Sequence, residues 1–417
     1  MTSINSIATA IAAAALLASS FVSADHHGGA HASSINNIDS NNFGIDAKEI
    51  ADIKAQMQAA IDGGFIAGNI LLVGNSEGVG VLETAGTQGP EQSTPMDEQT
   101  LFRIYSMTKP IVSVATMTLV EDGLLAISDP VSKYIPEFAN MTVISEETGA
   151  ITPAANEMTV QDLLTHESGL IYGIFDPQSE LGKMYFQAGS LRSDITALTL
   201  AQNLAALPLR FEPGTKWNYS RSTDVLGAVI EVAAGKPLDA LLNERIFAPL
   251  GMDETTFFVD VSKAARIAHP IHGRMADPTV VTPMLSGGGG LHSTTEDYVR
   301  FASMLLGGGE YNGTRILEAD TLTAMQQKFI GDSVDRSAYF FGSRGDWGLG
   351  FHLQPIPGAD NEGPFNFGWR GVGGTVFIVD PTNDFFMLYM AQVRGGPAGA
   401  PMDLTKAQAA VYNAMLN

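Results

Sequence analysis

Cysteine is absent from the 417 residues of this chain, and basic residues are scarce. Without cysteine the protein has no disulfide bond, no thiolate nucleophile and no cysteine-bound metal. Only 23 lysines and arginines stand against 45 aspartates and glutamates, which gives a formal net charge of −22 at pH 7. Such a chain offers no basic patch to the phosphates of nucleic acid or to an anionic membrane surface, so we expect neither as a partner.

Long apolar runs are confined to the N-terminus. An apolar run from Ile7 to Val22 ends in Val22-Ser23-Ala24, a small-residue pattern typical of a signal-peptide cleavage site. We therefore predict a signal peptide over residues 1–24 and an exported protein, either periplasmic or extracellular. The segment has no lysine or arginine, so an alanine-rich tail helix remains the alternative. No later segment has 18 consecutive apolar residues, and no membrane span is predicted.

Histidines give no convincing metal site in this sequence. Residues 25–45 are predicted to be a polar linker, in which three histidines are a compositional feature rather than a set of ligands. Farther along, His269 and His272 have a suitable spacing but no third ligand. The sequence therefore predicts neither a metal nor a cofactor.

The rest of the chain has the composition of a large globular protein, with 45% hydrophobic and 16% charged residues. A hairpin pattern occurs near residues 69–86, and strand-like runs occur between residues 347 and 393. Residues 129–284 instead show helical periodicity interrupted by proline and glycine loops. We predict an α+β fold of the α/β-sandwich type, whose antiparallel sheet is flanked by N-terminal and C-terminal helices. Residues 46–128 and 285–417 would form this α/β domain, and residues 129–284 a mostly helical inserted domain.

Ser76 is the first candidate nucleophile. Residues 74–78, GNSEG, match the G-x-S-x-G turn of α/β-hydrolases, in which a strand precedes the serine and a helix follows it. Here the residues after Gly78 continue as a strand. We therefore predict that Ser76 lies at the tip of a hairpin and is not a nucleophile.

Ser106 has more favourable surroundings. In YSMTKP, residues 105–110, Lys109 follows Ser106 by three positions at the start of an apolar helical pattern. Positions i and i+3 share one face of a helix, so the two side chains would point into the same small volume. A helix N-terminus also supplies free N–H groups and partial positive charge, which favour an oxyanion there. By itself, S-x-x-K is a weak signal.

Six further patterns follow in order and carry a family resemblance. They are DLLTHESGLIYG (162–173), FEPGTKWNYSRSTDVLG (211–227), IFAPLGMDETTF (246–257), GGGGLHSTTEDYVRFASMLL (287–306), WGLGF (347–351) and GWRGVGGTVFIVDP (368–381). Together with YSMTKP, this ordered set resembles the serine β-lactamase and penicillin-binding-protein-like hydrolases. Within them it is most similar to the class C-like esterases called family VIII carboxylesterases. The resemblance covers about residues 47–415.

This resemblance implies a serine hydrolase with three elements around its substrate. The first is the S-x-x-K pair, in which Ser106 would be the nucleophile and Lys109 its partner. The second is a tyrosine motif, matched by residues 219–221, YSR. The third lies on a strand that lines the site. Many β-lactamases have Lys-Thr-Gly or His-x-Gly there and the esterase branch has W-x-G, which residues 369–371, WRG, match.

Two residues are candidates for the general base. A serine hydroxyl is a poor nucleophile until a base removes its proton. Tyrosine has an ordinary pKa of about 10, but a nearby cation such as Lys109 favours its phenolate. We assign Tyr219 as the general base, with Lys109 tuning it and relaying the proton. Neutral Lys109 as the base is the alternative, because coupled groups need not titrate separately.

The resemblance also implies the remaining site residues. The oxyanion hole would consist of the backbone N–H groups of Ser106 and Val372. Glycine in the third motif would let the strand approach the substrate closely. The residues predicted to contact substrate are Tyr172, Arg221, Trp369, Arg370 and Gly371.

Two departures from the lactam-cleaving branch bear on the substrate. Arg221 replaces an asparagine that meets the acyl amide, and Trp369 replaces the cation that binds a carboxylate. Both changes favour a neutral ester with a small apolar acyl group, although Arg370 or Arg221 would be able to restore carboxylate binding.

We therefore predict an exported carboxylesterase that acts on a small-molecule ester through an acyl-enzyme on Ser106. One alternative is a β-lactamase, D-amino-acid peptidase or amidase using the same site, and another is a non-catalytic binding protein. The sequence does not predict the oligomeric state.

Overall fold

Residues 36–40, 44–331 and 333–416 are described by the structure, a computed structural model of the chain. The predicted signal peptide, residues 1–24, lies outside the described residues, as does most of the predicted linker with its histidines.

The described residues form eleven α-helices and thirteen strands. The helices are α1 (Ala47–Asp62), α2 (Thr108–Glu121), α3 (Val160–Thr165), α4 (Glu180–Gln187), α5 (Ala197–Ala205), α6 (Ser222–Ala234), α7 (Leu238–Leu242), α8 (Ala248–Leu250), α9 (Thr295–Leu306), α10 (Ala319–Met325) and α11 (Leu404–Leu416). The strands are β1 (Gly68–Gly74), β2 (Val79–Gly86), β3 (Phe102–Arg103), β4 (Thr142–Ile144), β5 (Ile151–Pro153), β6 (His292–Ser293), β7 (Glu310–Tyr311), β8 (Thr314–Arg315), β9 (Asp346–Trp347), β10 (His352–Asp360), β11 (Gly363–Gly371), β12 (Thr375–Asp380) and β13 (Phe385–Ala391).

Seven of these strands form one sheet in the order β2-β1-β13-β12-β11-β10-β9, and every neighbouring pair is antiparallel. Strand β1 pairs with β13, so the N-terminal hairpin completes a sheet whose other strands come from the C-terminal part of the chain. The register places Leu72 opposite Leu388 and Phe367 opposite Val379. The predicted α+β class and antiparallel sheet are confirmed.

Apolar residues on both faces of the sheet explain why helices cover both faces. Every residue of β1, β12 and β13 is buried. Because successive side chains of a strand point to opposite faces, these residues divide between two cores. On β13, Phe386 and Leu388 belong to the larger core with α2 and α9, whereas Met387 and Tyr389 belong to the smaller core with α1 and α11. The result is a three-layered sandwich.

Helix α1 shows how the sequence positions the outer layer. It begins at a capping box, in which Asp46 accepts from the N–H of Glu49 and the Glu49 carboxylate accepts from the N–H of Asp46. Residues Ile53, Met57 and Ala60 then recur at helical spacing and are buried in the smaller core. The cap fixes the first turn, and the apolar stripe binds the helix to the sheet.

Between residues 129 and 284 the structure is mostly helical, with α3 to α8 and one short hairpin, β4–β5. No helix among the described residues is long and apolar enough to cross a membrane. The described residues belong to one compact unit. The division into an α/β domain and an inserted domain therefore stays a prediction.

Ser76 lies in the turn between β1 and β2, and these strands pair as the hairpin that the sequence predicts. The Asn75 side chain accepts from the N–H groups of Glu77 and Gly78, which is typical of such turns. The Ser76 hydroxyl donates to Asp384 at 2.7 Å. Because a strand and not a helix follows the turn, Ser76 does not have the setting of a nucleophile.

Substituting Phe377 tests the larger core. This fully buried side chain on β12 packs at 5.0 Å, between ring centroids, from Tyr298 of α9. We expect Phe377→Ala to lower the free energy of unfolding by about 3–5 kcal/mol, because it leaves a cavity between sheet and helix. Urea denaturation measures the change. Val261→Ala is the control, since Val261 is 77% exposed. A similar loss of unfolding free energy in that variant would contradict the assignment of Phe377 to the larger core.

Candidate active site

The chain enters the site through β3, which pairs with β6. A short 3₁₀ turn, Tyr105–Met107, then leads directly into α2 and carries Ser106 at the start of the helix. The hydroxyl of Tyr298, on α9, donates to the Met107 carbonyl at 2.9 Å and fixes this turn. Ser106 therefore lies where the sequence predicts it, at a helix N-terminus.

Lys109 is buried and donates to three acceptors. Its ammonium lies 3.2 Å from Ser106 Oγ, 2.9 Å from the Tyr172 hydroxyl and 2.5 Å from the Gly288 carbonyl oxygen. These bonds use all three donors of an ammonium group. The contact between Ser106 and Lys109 is the one that the S-x-x-K spacing predicts.

The surrounding groups keep Lys109 protonated. Burial alone would lower the pKa of Lys109, but the charges that Tyr172 and Tyr219 carry when ionised, together with Asp224, outweigh burial and raise this pKa. Burial raises the pKa of Tyr172 to about 12, against the opposing charge of Lys109. At neutral pH Tyr172 is therefore a neutral phenol, and the negative charge beside Lys109 that favours its ammonium form is that of Asp224.

Tyr219 lies directly before α6 and lines the same cavity as Ser106. Its hydroxyl oxygen accepts a hydrogen bond from Trp369 Nε1 at 3.1 Å. The Lys109 ammonium lies 4.7 Å from the centre of the Tyr219 ring, and the His166 ring packs against the same ring at 4.6 Å. An N–H donor and a nearby ammonium both stabilise negative charge on the phenol oxygen. The fold thus brings the tyrosine motif and the third motif together.

The end of β11 lies against the turn that carries the serine. A Cβ on Gly371 would lie 2.4 Å from the Ile104 carbonyl oxygen, and one on Gly373 would lie 2.7 Å from the Tyr105 ring. Glycine at these positions permits the close approach. Between them, the N–H of Val372 has no hydrogen-bond acceptor in the part of the chain that the structure describes. A free N–H at the cavity wall is suited to an oxyanion.

These groups share a cavity of about 550 Å³ whose lining is mostly apolar. Phe175 and Phe340 approach the Tyr219 ring at 6.5 and 5.3 Å between centroids and make one side aromatic. Segment 393–404, after β13, supplies much of the remaining wall. Of the residues predicted to contact substrate, Trp369, Arg370 and Gly371 line this cavity.

Tyr172 and Arg221 are placed differently, because neither lines the cavity. Arg221 forms an ion pair with Asp224 at 3.1 Å and also donates to the Ser190 carbonyl. Its guanidinium lies 4.9 Å from the centre of the Tyr172 ring, and the hydroxyl of Tyr172 accepts a hydrogen bond from Lys109. Both side chains therefore support Lys109 and its surroundings, and the structure gives no support for direct substrate contact by either.

The sequence analysis missed the groups that hold Lys109 in place. Asp224 accepts from the N–H of Gly288 at 3.1 Å and from the Ser286 hydroxyl at 2.5 Å, which fixes the carbonyl that binds the ammonium. Asp224 is 1% exposed in the first turn of α6. The sequence did contain a signal for this role, since Asp224 is an acidic residue within the apolar pattern of α6. A buried carboxylate is seldom without a partner.

Metal ligands are not assembled among the residues that the structure describes, where no three histidine or acidic side chains converge. A ring nitrogen of His272 instead lies 2.9 Å from the Gly64 carbonyl oxygen. The absence of a metal or cofactor stays a prediction from the sequence.

The sequence profile of the family described as Beta-lactamase matches residues 53–412, which is most of the chain. The chain belongs to the β-lactamase family. This β-lactamase-family chain is 32% identical over 363 residues to the uncharacterized protein MT1414 of Mycobacterium tuberculosis, covering 81% of this chain and 89% of that protein. It is 34% identical over 249 residues to esterase EstB of Burkholderia gladioli, covering 58% of this chain and 59% of EstB.

A solved structure supports the same fold. EstCE1, described as a hydrolase with promiscuous acyltransferase activity, matches with a TM-score of 0.72 at 24% identity, over 89% of this chain and 99% of EstCE1. The resemblance to the esterase branch of this family is confirmed, and the protein is a serine hydrolase of the β-lactamase fold.

Glu167 is a buried acid that follows α3. It is 5% exposed, and its Oε1 has no hydrogen-bond partner in the described structure. Burial, reinforced by the charge of Asp162, raises the pKa of Glu167 from 4.5 to about 8. The folded protein therefore binds this proton more tightly than the unfolded chain does.

A pH series on Glu167→Gln tests this shift. Because the folded-state pKa is raised, the stabilisation is complete below about pH 4.5 and is lost as the pH rises towards 8. We expect the free energy of unfolding of the wild type to fall, relative to the glutamine variant, by on the order of 3–4 kcal/mol between pH 5 and pH 8. Urea denaturation between pH 5 and pH 8 measures the difference. Glu147→Gln, at an exposed position, is the control. If the unfolding free energies of the wild type and Glu167→Gln changed in parallel with pH, the pKa of Glu167 would not be raised.

Proposed function

We propose that this protein is an exported serine carboxylesterase that hydrolyses esters of small acyl groups through an acyl-enzyme on Ser106. The observation that carries the proposal is the Lys109 ammonium, which contacts Ser106 at the edge of a mostly apolar cavity that also contains Tyr219 and Trp369. Family membership and the likeness to an esterase support the reaction class.

In the acylation step, Ser106 Oγ attacks the ester carbonyl carbon while its proton passes to Tyr219, which starts this step as the phenolate and becomes a neutral phenol. Lys109 is already protonated, so it acts by electrostatic stabilisation, and this favours Tyr219 over neutral Lys109 as the base that takes the serine proton and gives it to the alcohol. The carbonyl oxygen becomes an oxyanion that the N–H groups of Ser106 and Val372 stabilise. The tetrahedral intermediate then expels the alcohol, which takes up the proton.

In the deacylation step, water attacks the acyl carbon of the ester formed with Ser106. The same base accepts a proton from this water, and the same two N–H groups hold the second oxyanion. Collapse of the intermediate releases the carboxylic acid and returns the proton to Ser106 Oγ. The two steps balance without a metal or redox partner.

The cavity wall supports an ester over a lactam or a peptide. Trp369 occupies the place of the cation in the third motif, and its indole N–H is engaged with Tyr219 instead of a substrate carboxylate. Phe175 and Phe340 flank the same tyrosine and make that side of the cavity aromatic, which suits an apolar acyl group. Amide-cleaving activity is the alternative, and comparing nitrocefin and a D-Ala-D-Ala peptide with a butyrate ester separates the two.

Export is proposed from the small-residue cleavage pattern Val22-Ser23-Ala24, which predicts cleavage after Ala24. Fractionation of cells that express the full chain, followed by N-terminal sequencing, tests it. A protein that starts at Asp25 outside the cytoplasm is expected, and an uncleaved cytoplasmic chain would refute export without affecting the esterase proposal.

Ser106→Ala is expected to abolish turnover of p-nitrophenyl butyrate, because it removes the atom that attacks the carbonyl. A fluorophosphonate should add its mass to Ser106 in the wild type and not in this variant. Ser76→Ala is the matched control and should retain activity, since Ser76 lies in a hairpin turn. Undiminished turnover in Ser106→Ala would refute the nucleophile, and an unlabelled wild type would favour a binding protein.

Comparing Tyr219→Phe with Tyr172→Phe tests the general base. Loss of the Tyr219 hydroxyl should lower kcat by about 10²–10⁴-fold, the range typical of a missing general base. Tyr172→Phe removes one acceptor of Lys109 but not the base, so we expect a smaller loss. Steady-state kinetics with p-nitrophenyl butyrate measure both. The reverse order of effects would transfer the role of base to Tyr172, whose hydroxyl is within hydrogen-bond distance of Lys109, whereas the ammonium lies against the ring of Tyr219.

A further inference from the structure

Arg370 differs from the other buried and half-buried arginines of the described chain. The others each donate to a carboxylate or a carbonyl: Arg103, Arg210, Arg221, Arg245, Arg266, Arg300 and Arg336. Among the described residues, the Arg370 guanidinium has no hydrogen-bond acceptor and no ion-pair partner. Its contact is with the Phe341 ring, whose centre lies 5.1 Å away.

The surroundings of Arg370 leave its charge incompletely compensated. Burial lowers the pKa of Arg370, and only the charge of Asp403 opposes this effect. Asp403 is not within ion-pair distance, and its carboxylate accepts instead from the N–H groups of Thr405 and Lys406 at the start of α11. The guanidinium therefore has no acceptor among the described residues, and an anion entering the cavity would supply one.

Arg370 is also correctly placed to meet substrate. It lines the same cavity as Ser106 and lies on β11 two residues before Val372, which is roughly 7 Å along an extended strand. Neighbouring side chains on a strand point to opposite faces, so Arg370 and Trp369 face different parts of the cavity. An ester held at Ser106 can therefore place one substituent beside the aromatic rings and the other towards the guanidinium.

Arg221, the other arginine expected near the site, does not fit this role. Its guanidinium is occupied by Asp224 and the Ser190 carbonyl, and it does not line the cavity. Of the two arginines, only Arg370 combines an unoccupied guanidinium with a place in the cavity wall.

We infer that Arg370 forms a carboxylate-binding subsite and that the natural substrate is an ester carrying a carboxylate group beyond the scissile bond. The planar guanidinium would bind the carboxylate through two parallel hydrogen bonds, a geometry that lysine cannot reproduce. This inference rests on the proposed function, because it concerns the substrate of the same cavity. It makes Arg370, rather than the residue at position 369, the cation that recognises the substrate anion.

Two pairs of probe esters test the inference, because the carboxylate can lie on either part of the ester. The first pair is mono-p-nitrophenyl glutarate and neutral p-nitrophenyl valerate. The second pair is p-butyryloxybenzoate and its methyl ester. For each pair, the ratio of kcat/KM for the anionic ester to that for the neutral ester is measured in the wild type, Arg370→Gln and Arg370→Lys. Arg274→Gln, an exposed position, is the control for the change in net charge.

We expect the anionic-to-neutral ratio of at least one pair to fall by about 10- to 100-fold in Arg370→Gln, the loss typical of a charge-assisted hydrogen bond. Arg370→Lys should recover part of the ratio, and Arg274→Gln should keep the wild-type ratio. If Arg370→Gln kept the wild-type ratio for both pairs, Arg370 would be only a packing partner of Phe341 and the inference would be wrong.

A binding measurement separates this inference from the proposed function. Failure of the wild type to hydrolyse any of the four esters would refute the esterase proposal. The anion subsite is then tested by calorimetric titration of monoethyl glutarate and p-butyryloxybenzoate into Ser106→Ala, with and without Arg370→Gln. We expect the second substitution to weaken binding of at least one anion by about tenfold or more. Equal affinity of both variants for both anions would overturn the subsite.

Discussion

The buried ammonium of Lys109 is the interaction on which the rest of the site depends. A charged group removed from water is stable only if its donors are satisfied, and here the acceptors come from three separate segments of the chain. Ser106 lies in the 3₁₀ turn that leads into α2, Tyr172 lies between α3 and α4, and Gly288 lies in the glycine-rich loop before β6. Lys109 can make all three hydrogen bonds only when these three segments have folded together. The chemistry of the site therefore depends on how the three segments pack.

The support continues outward from Lys109 through a second buried charge. Asp224 orients the Gly288 carbonyl, and Arg221 compensates the charge of Asp224 while covering the ring of Tyr172. Buried ion pairs of this kind contribute little net stability, but breaking one leaves an uncompensated charge. Their effect here is to fix geometry, which explains why residues that do not touch the cavity are still part of the site.

The sheet contributes the opposite wall of the site. Because Gly371 and Gly373 have no side chain, the end of β11 lies against Ile104 and Tyr105, immediately before the nucleophile. This contact places the free N–H of Val372 beside the cavity and brings Trp369 to the hydroxyl of Tyr219. The wall that results is mostly apolar, and Arg370 is the basic residue among the described residues that line it, in a chain whose net charge is −22.

The sequence by itself determined the features that depend on local spacing. Strand alternation and turn residues identified the hairpin that removes Ser76 from consideration, and the three-residue spacing placed Lys109 beside Ser106. The ordered motifs identified the family and the antiparallel sandwich. Such features follow from the period of a helix or a strand, which neighbouring residues set among themselves.

Only the tertiary structure decided which side chains face the cavity and which support it. Tyr172 and Arg221 were predicted to contact substrate, but in the structure neither lines the cavity, and they bond Lys109 and Asp224 instead. Arg370 and Arg221 were equivalent candidates until the fold supplied acceptors to one and not to the other. A side chain's role as a contact or a support depends on partners that are distant in sequence, and no local pattern encodes them.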